Sequence, residues 1–279
     1  MNTSILLEND LESKAGAALT RRYVGPTGRQ IHLIEAGEEG AGRVICLHAT
    51  AYSARSFEPF LQAMGRTRHA IAMDTPGYGA SDRPNTLPDI AAYAAAIAEA
   101  VGDLGDGPSH IFGYHTGALI AAELARQRPD LIRRVILIGV PLFSGQEQLE
   151  WKRRLAARTT LGDRLDQFSE RWDYLVARRP PGIDLVTGFG NFVDELRAYP
   201  DGWWAHDAAF SFDGEVCMRS VKQPTLVLNP DTPLSDAARR AAALLPAALL
   251  VELPHLGRSI LETGAEELAA RIEDFVSES

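Results

Sequence analysis

His110-Ile111-Phe112-Gly113-Tyr114-His115-Thr116-Gly117-Ala118-Leu119-Ile120-Ala121-Ala122-Glu123-Leu124-Ala125-Arg126-Gln127 holds the reading that decides the fold. It opens on a short apolar strand, passes through a turn with glycines two residues either side of His115, and runs straight into a helix. That helix is apolar on nearly all sides, so it belongs in the interior. The paired glycines mark a backbone so crowded and bent that a side chain beside the central residue would strike the adjoining strand or helix.

Reading outward in both directions, the same alternation repeats. Upstream, Val44-Ile45-Cys46-Leu47 is a strand buried on both faces, followed by a helix over 57–64. His69 to Met73 is the next strand. It ends in Asp74-Thr75-Pro76-Gly77-Tyr78-Gly79-Ala80-Ser81, a loop dense in turn residues. Thr86 and Asp89 have capping-box spacing, and Ile90, Tyr93, Ile97, Val101 and Leu104 then share one helical face. Downstream, Val135 to Ile138, Pro224 to Asn229 and Leu249 to Leu253 read as strands, with a helix over 235–245. A last helix follows Thr263 and Glu266, with Leu268, Ile272 and Phe275 on its apolar face. Arg22 to Val24 and Gln30 to Ile34 flank a Gly-Pro-Thr-Gly turn and predict an antiparallel hairpin at the start. Repeated strand-helix alternation requires crossover connections, hence an α/β protein with a mostly parallel sheet covered by helices on both faces.

Between Ser144 and Glu215 the alternation stops. This stretch holds all four tryptophans (Trp151, Trp172, Trp203, Trp204), half the phenylalanines and many arginines. We read it as an inserted helical cap, residues 144–215, on a core domain made of 1–143 and 216–279. Clustered rings suit an apolar or aromatic ligand, and equally suit packing the cap on the core. Trp203, Trp204 and His206 are the candidate substrate contacts; for His206 a solvated or packing role is the alternative.

Composition narrows the partners. The chain has 279 residues, 46% hydrophobic and 23% charged, which describes an ordinary globular protein. A net charge of -9 disfavours nucleic acid. Cys46 and Cys217 stand far apart, with no C-x-x-C pair, so neither a zinc ribbon nor a disulfide framework is expected. Met1 to Thr20 shows no basic start followed by an apolar core, and no apolar run is long enough for a bilayer; a cytoplasmic address is the resulting expectation. A small-molecule substrate is the expected partner, with no cofactor and no membrane. A homodimer is compatible with the sequence, which leaves the oligomeric state open.

Strand, Gly113-Tyr114-His115-Thr116-Gly117 and helix together resemble the G-x-S-x-G nucleophile elbow of the α/β-hydrolase family, with histidine where serine is usual. From about Arg21 to Val276 the chain is similar to that family. His48-Ala49-Thr50 resembles its oxyanion loop and Asp74 to Ser81 its D-x-x-G-x-G-x-S loop, while Asp231 and His255 fall where its acid and base lie. The resemblance implies a catalytic set of His115, Asp231 and His255, with the backbone N–H groups of Thr50 and Thr116 as oxyanion donors. Ala49, where the family favours glycine, places Thr50 less securely. His48, Asp74, Gly77, Gly79 and Ser81 read as structural.

His115 changes the division of labour, because a neutral imidazole already offers a lone pair near pH 7. Four readings stay open at this point. It is a nucleophile forming a short-lived acyl-imidazole cleared by water that His255 and Asp231 activate; or an acid or base in a non-covalent lyase or C–C cleavage; or, with His255 and Asp231, a metal ligand; or the relic of a site that now only binds a ligand. The leading expectation is hydrolysis of an ester, thioester or related carbonyl bond in a small, partly apolar substrate.

Overall fold

A computed structural model describes residues 16–105, 107–156 and 162–277. Most of the segment read for the absence of a secretion signal, residues 1–15, lies outside them. Among the described residues one eight-stranded sheet forms, ordered β1-β2-β4-β3-β5-β6-β7-β8. The strands are β1 (Thr20–Val24), β2 (Ile31–Ala36), β3 (Arg43–Leu47), β4 (His69–Met73), β5 (Ser109–Tyr114), β6 (Ile132–Ile138), β7 (Thr225–Pro230) and β8 (Ala248–Leu253). The β1–β2 hairpin and its junction with β4 are antiparallel; every later pairing is parallel.

Period-two alternation splits the core into two layers. Ile45, Leu47, Ile71, Ile111, Val135, Leu137 and Val227 face helices Ile90–Asp103 and Thr116–Gln127. Val44, Cys46, Ala72, Phe112, Ile136 and Leu228 face the other way, onto helices Glu58–Met64 and Ala265–Ser277. There the rings of Phe57, Phe60 and Phe112 meet edge to face with centroids 5.2 to 6.2 Å apart. Cys46 is a fully buried member of this layer. Burial thus accounts for the uninterrupted apolar runs that mark the strands in the sequence.

Two helix starts differ from expectation. Asp89 itself is the N-cap of Ile90–Asp103, its carboxylate accepting from the Ala92 N–H, so Thr86 lies outside the helix. Thr263 ends the short helix Ile260–Thr263 and donates back to the Ser259 carbonyl, so it does not cap the last helix. At the first of these the nearer residue, Asp89, satisfies an orphan backbone N–H.

The insertion between β6 and β7 contains helices Gly145–Ala156, Leu185–Arg197, Trp204–Ser211 and Gly214–Ser220, with helical turns over 165–177. Gly214–Ser220 packs on the Thr116–Gln127 and Ser235–Leu244 helices. The expected boundary at residue 215 therefore cuts a helix that already rests on the core. The insertion is pinned to the core by Asp194, which is buried and accepts from Ser53 Oγ at 3.0 Å and from Arg55 Nη2 at 2.8 Å. Tyr78 adds a second pin, its hydroxyl donating to the Gly202 carbonyl and accepting from the Ala205 N–H. No helix among the described residues is long and apolar enough to cross a membrane.

Candidate active site

The strand order reverses direction between β3 and β5, and Leu47 at the end of β3 pairs with Gly113 near the end of β5. Ligands of open α/β sheets bind at such a switch point, above the carboxyl ends of the strands. His115 sits there with φ 53° and ψ -116°, a left-handed conformation found in no other non-glycine residue among those described. Such a backbone costs about 1–3 kcal/mol and persists only where its surroundings enforce it. Here they do. A Cβ on Gly113 would overlap the Gly117 carbonyl, and one on Gly117 would overlap the Leu47 carbonyl. The His115 N–H donates to the Ile138 carbonyl at 2.9 Å, and its own carbonyl accepts from Ala118.

The His115 residue is partly exposed and lines the cavity, and burial pushes its pKa down to about 4. At neutral pH it is uncharged. Its Nε2 is enclosed without a hydrogen-bond partner and lies against Gly139, where a Cβ would stand 3.0 Å away. The neighbouring Tyr114 ring meets it edge-on at 4.4 Å.

Beside the elbow runs the 48–52 loop. The Thr75 N–H donates to His48 Nε2 at 3.0 Å, which leaves the proton on Nδ1 to donate to the Ala49 carbonyl at 2.9 Å. His48 is thus a strut, as its sequence context suggests. Asp74 is another. Burial works against its charge, but hydrogen bonds from His32, Ala54 and Ala80 win and hold its pKa below the ordinary value. Thr50 lines the cavity held by this loop. Thr116 is buried as the first residue of its helix, so its N–H has no acceptor within the helix.

Asp231 and His255 do not join His115. Leu256 donates its N–H to the Leu253 carbonyl, closing a tight turn that sends the Leu256 side chain inward and His255 outward. The exposed imidazole of His255 pairs through Nε2 with Glu267 at 2.7 Å, on the first turn of the last helix. Asp231 is also exposed; its main chain, not its carboxylate, binds this loop, through N–H to the Leu256 carbonyl at 2.8 Å. Neither side chain lines the cavity that contains His115. The expected triad geometry is therefore absent, and so is the two-histidine, one-carboxylate metal set: among the described residues no three His, Cys, Asp or Glu side chains are grouped to hold an ion.

The cavity has a volume of about 580 Å³ and lies between the strand ends and the cap. Trp203 and His206 line it, as do Trp151 and Phe210; His206 stacks on Phe210 with centroids 5.9 Å apart. Trp204 does not. It meets Trp203 edge-on and turns into a separate small cleft beside Pro76, Tyr78 and Tyr93. The sequence reading missed the charged part of the wall: Arg154, Arg171, Glu195, Arg258 and Glu262. The run of arginines in the cap was the visible signal for the first two. Nothing in the order of residues marks Arg258, rather than His255 three positions earlier, as the side chain that lines the cavity.

Comparison with known proteins agrees with this architecture. Over 252 residues, 86% of this chain and 90% of the relative, the sequence is 29% identical to the 2-(acetamidomethylene)succinate hydrolase of Mesorhizobium japonicum. It is 30% identical to epoxide hydrolase A of Mycobacterium tuberculosis over 60% of this chain, spanning 49% of that protein. The solved enol-lactonase of Burkholderia xenovorans superposes with a TM-score of 0.77 at 21% identity, covering 92% of this chain and all of that one, which speaks for the fold. Residues 42–265 match the family described as the alpha/beta hydrolase fold. With that match, the mostly parallel sheet and the bent backbone at His115, the chain belongs to the α/β-hydrolase fold family.

Proposed function

We propose that this chain is a hydrolase that cleaves an ester, thioester or related carbonyl bond in a small, partly apolar molecule, with His115 as the reacting group. The observation that carries the reading is an uncharged imidazole held at the elbow of a 580 Å³ cavity that Thr50 also lines; the Thr50 and Thr116 N–H groups are assigned as its oxyanion donors. In this scheme a ring nitrogen of His115 attacks the carbonyl carbon while the two N–H groups receive the developing oxyanion. The leaving group departs with the ring proton, and water then splits the acyl-imidazole to acid and free imidazole. An acyl-imidazole is reactive enough to need little help in that second step, which suits a cavity that His255 does not line. The Mesorhizobium relative, named as a hydrolase of a small succinate derivative, supports the size and type of substrate.

A second reading is favoured by one observation. Because Asp231 and His255 stand outside the cavity and Nε2 of His115 is closed off by Gly139, a ligand-binding protein on the hydrolase scaffold also fits. Turnover of a panel of activated esters, thioesters and enol-lactones separates the two. The hydrolase reading expects hydrolysis that His115→Ala abolishes and His255→Ala leaves in place. No turnover, together with a ligand-dependent rise in Tm, would establish the binding reading instead.

A further inference from the structure

The charges of the cavity wall are not all spoken for. Arg171 is neutralised by Glu195, through Nε at 2.7 Å and a second, shorter contact from Nη2. Glu262 is held by Asn191, and burial raises the pKa of its carboxyl, which weakens it as a counter-ion. Arg154 lies over the Trp151 ring at 5.0 Å near the exposed rim. Arg258 is exposed as well, and it is held at two points. Its guanidinium rests 4.2 Å over the Tyr174 ring, and Nη2 donates to the Arg178 carbonyl at 2.9 Å. Both contacts orient the planar group, and neither cancels its charge. No described carboxylate forms an ion pair with it. Its backbone is anchored as well, the carbonyl accepting from the Tyr114 hydroxyl at 3.1 Å, one residue from the elbow.

A guanidinium held at two points, with no described carboxylate paired to it and aromatic rings among its neighbours in the cavity wall, is a receptor for a planar anion. We propose that Arg258 binds a carboxylate of the substrate, in addition to the carbonyl group presented to His115. The ligand class is thus a small organic acid with an apolar or aromatic body. One open positive charge balances a carboxylate monoanion and leaves a phosphate dianion in charge excess. The turn after β8, which carries His255 outward, thereby contributes a binding group where a base was expected. This assignment rests on the cavity being the substrate site proposed above.

Binding tests it without requiring turnover. Isothermal titration calorimetry and thermal shift would compare 3-phenylpropanoate and benzylsuccinate with the neutral 3-phenylpropanamide, on the wild type, Arg258→Met and Arg258→Lys. The acids are expected to bind the wild type at least about tenfold more tightly than the amide. Arg258→Met should remove that preference and leave amide binding unchanged, while Arg258→Lys, the safer variant for folding, should keep part of it. Equal binding of acid and amide, an unchanged acid affinity in both variants, or no acid binding at millimolar concentration would overturn the proposal. Selective acid binding with no hydrolysis would break the His115 chemistry and leave this assignment standing. Hydrolysis of esters that also carry a free carboxylate, if indifferent to Arg258→Met, would do the reverse.

Discussion

The turn after β5 and the turn after β8 lie on the same edge of the sheet, and they are built on different principles. At the elbow, the backbone is fixed by overlap: Gly113, Gly117 and the Leu47 carbonyl leave His115 one conformation, which projects its side chain above the strands whatever that side chain is. At the end of β8 the turn is held by one backbone hydrogen bond and by Leu256 packing inward. Which side chain faces the cavity there is settled by the local path of a few residues, and it selects Arg258 over His255. A position enforced by backbone sterics therefore places its side chain whatever its chemistry, whereas at a loop the local path decides which side chain reaches the cavity.

The largest test of that contrast is Gly117→Ala. Its Cβ has nowhere to go, so a loss of roughly 3–5 kcal/mol, or failure to fold, is expected in denaturant unfolding; a well-folded variant would show the elbow to be looser than its contacts indicate. On the chemical side, His115→Ala should lower hydrolysis by about 10²-fold or more. His115→Ser should recover none of it, because neither His255 nor Asp231 lines the cavity; a gain in ester cleavage by the serine variant would mean that a base does reach the site.

A smaller effect concerns acid. Burial holds the folded-state pKa of His115 near 4, below its ordinary value of 6.5. The unfolded chain therefore takes up the proton first, and stability present above pH 6.5 is lost as the pH falls from 6.5 towards 4. His110, also pushed to about 4 by burial, acts in the same direction. Replacing His115 by leucine should remove roughly 1–2 kcal/mol of the stability lost between pH 7 and pH 5, read from urea unfolding at both values. An unchanged pH dependence would mean that the ring is solvated. The smallest effect belongs to the β8 turn: His255→Ala removes an exposed ion pair with Glu267 and should alter stability by less than about 1 kcal/mol and leave hydrolysis within about twofold.

Most strands are legible in the sequence because each is a short apolar run bounded by turn residues, and burial on both faces leaves no other use for such a run. Helix starts were harder, since Thr86 and Asp89 both have capping chemistry and only the chain path selects Asp89. The site divides in the same way. His48 and Asp74 announce their structural roles through their loops, and Trp203 and His206 do reach the cavity. Trp204, adjacent to Trp203, points elsewhere because successive helical residues diverge by about 100°.

What the sequence determined by itself is the sheet, its two apolar layers and the bend at His115, since all three follow from periodicity and from glycines whose neighbours in the chain are their neighbours in space. The tertiary structure alone decided that His255 meets Glu267, that Asp231 stays in solvent and that Arg258 enters the wall. Those outcomes depend on the direction of single side chains on exposed turns, fixed by contacts between residues remote in sequence, and no local pattern encodes them.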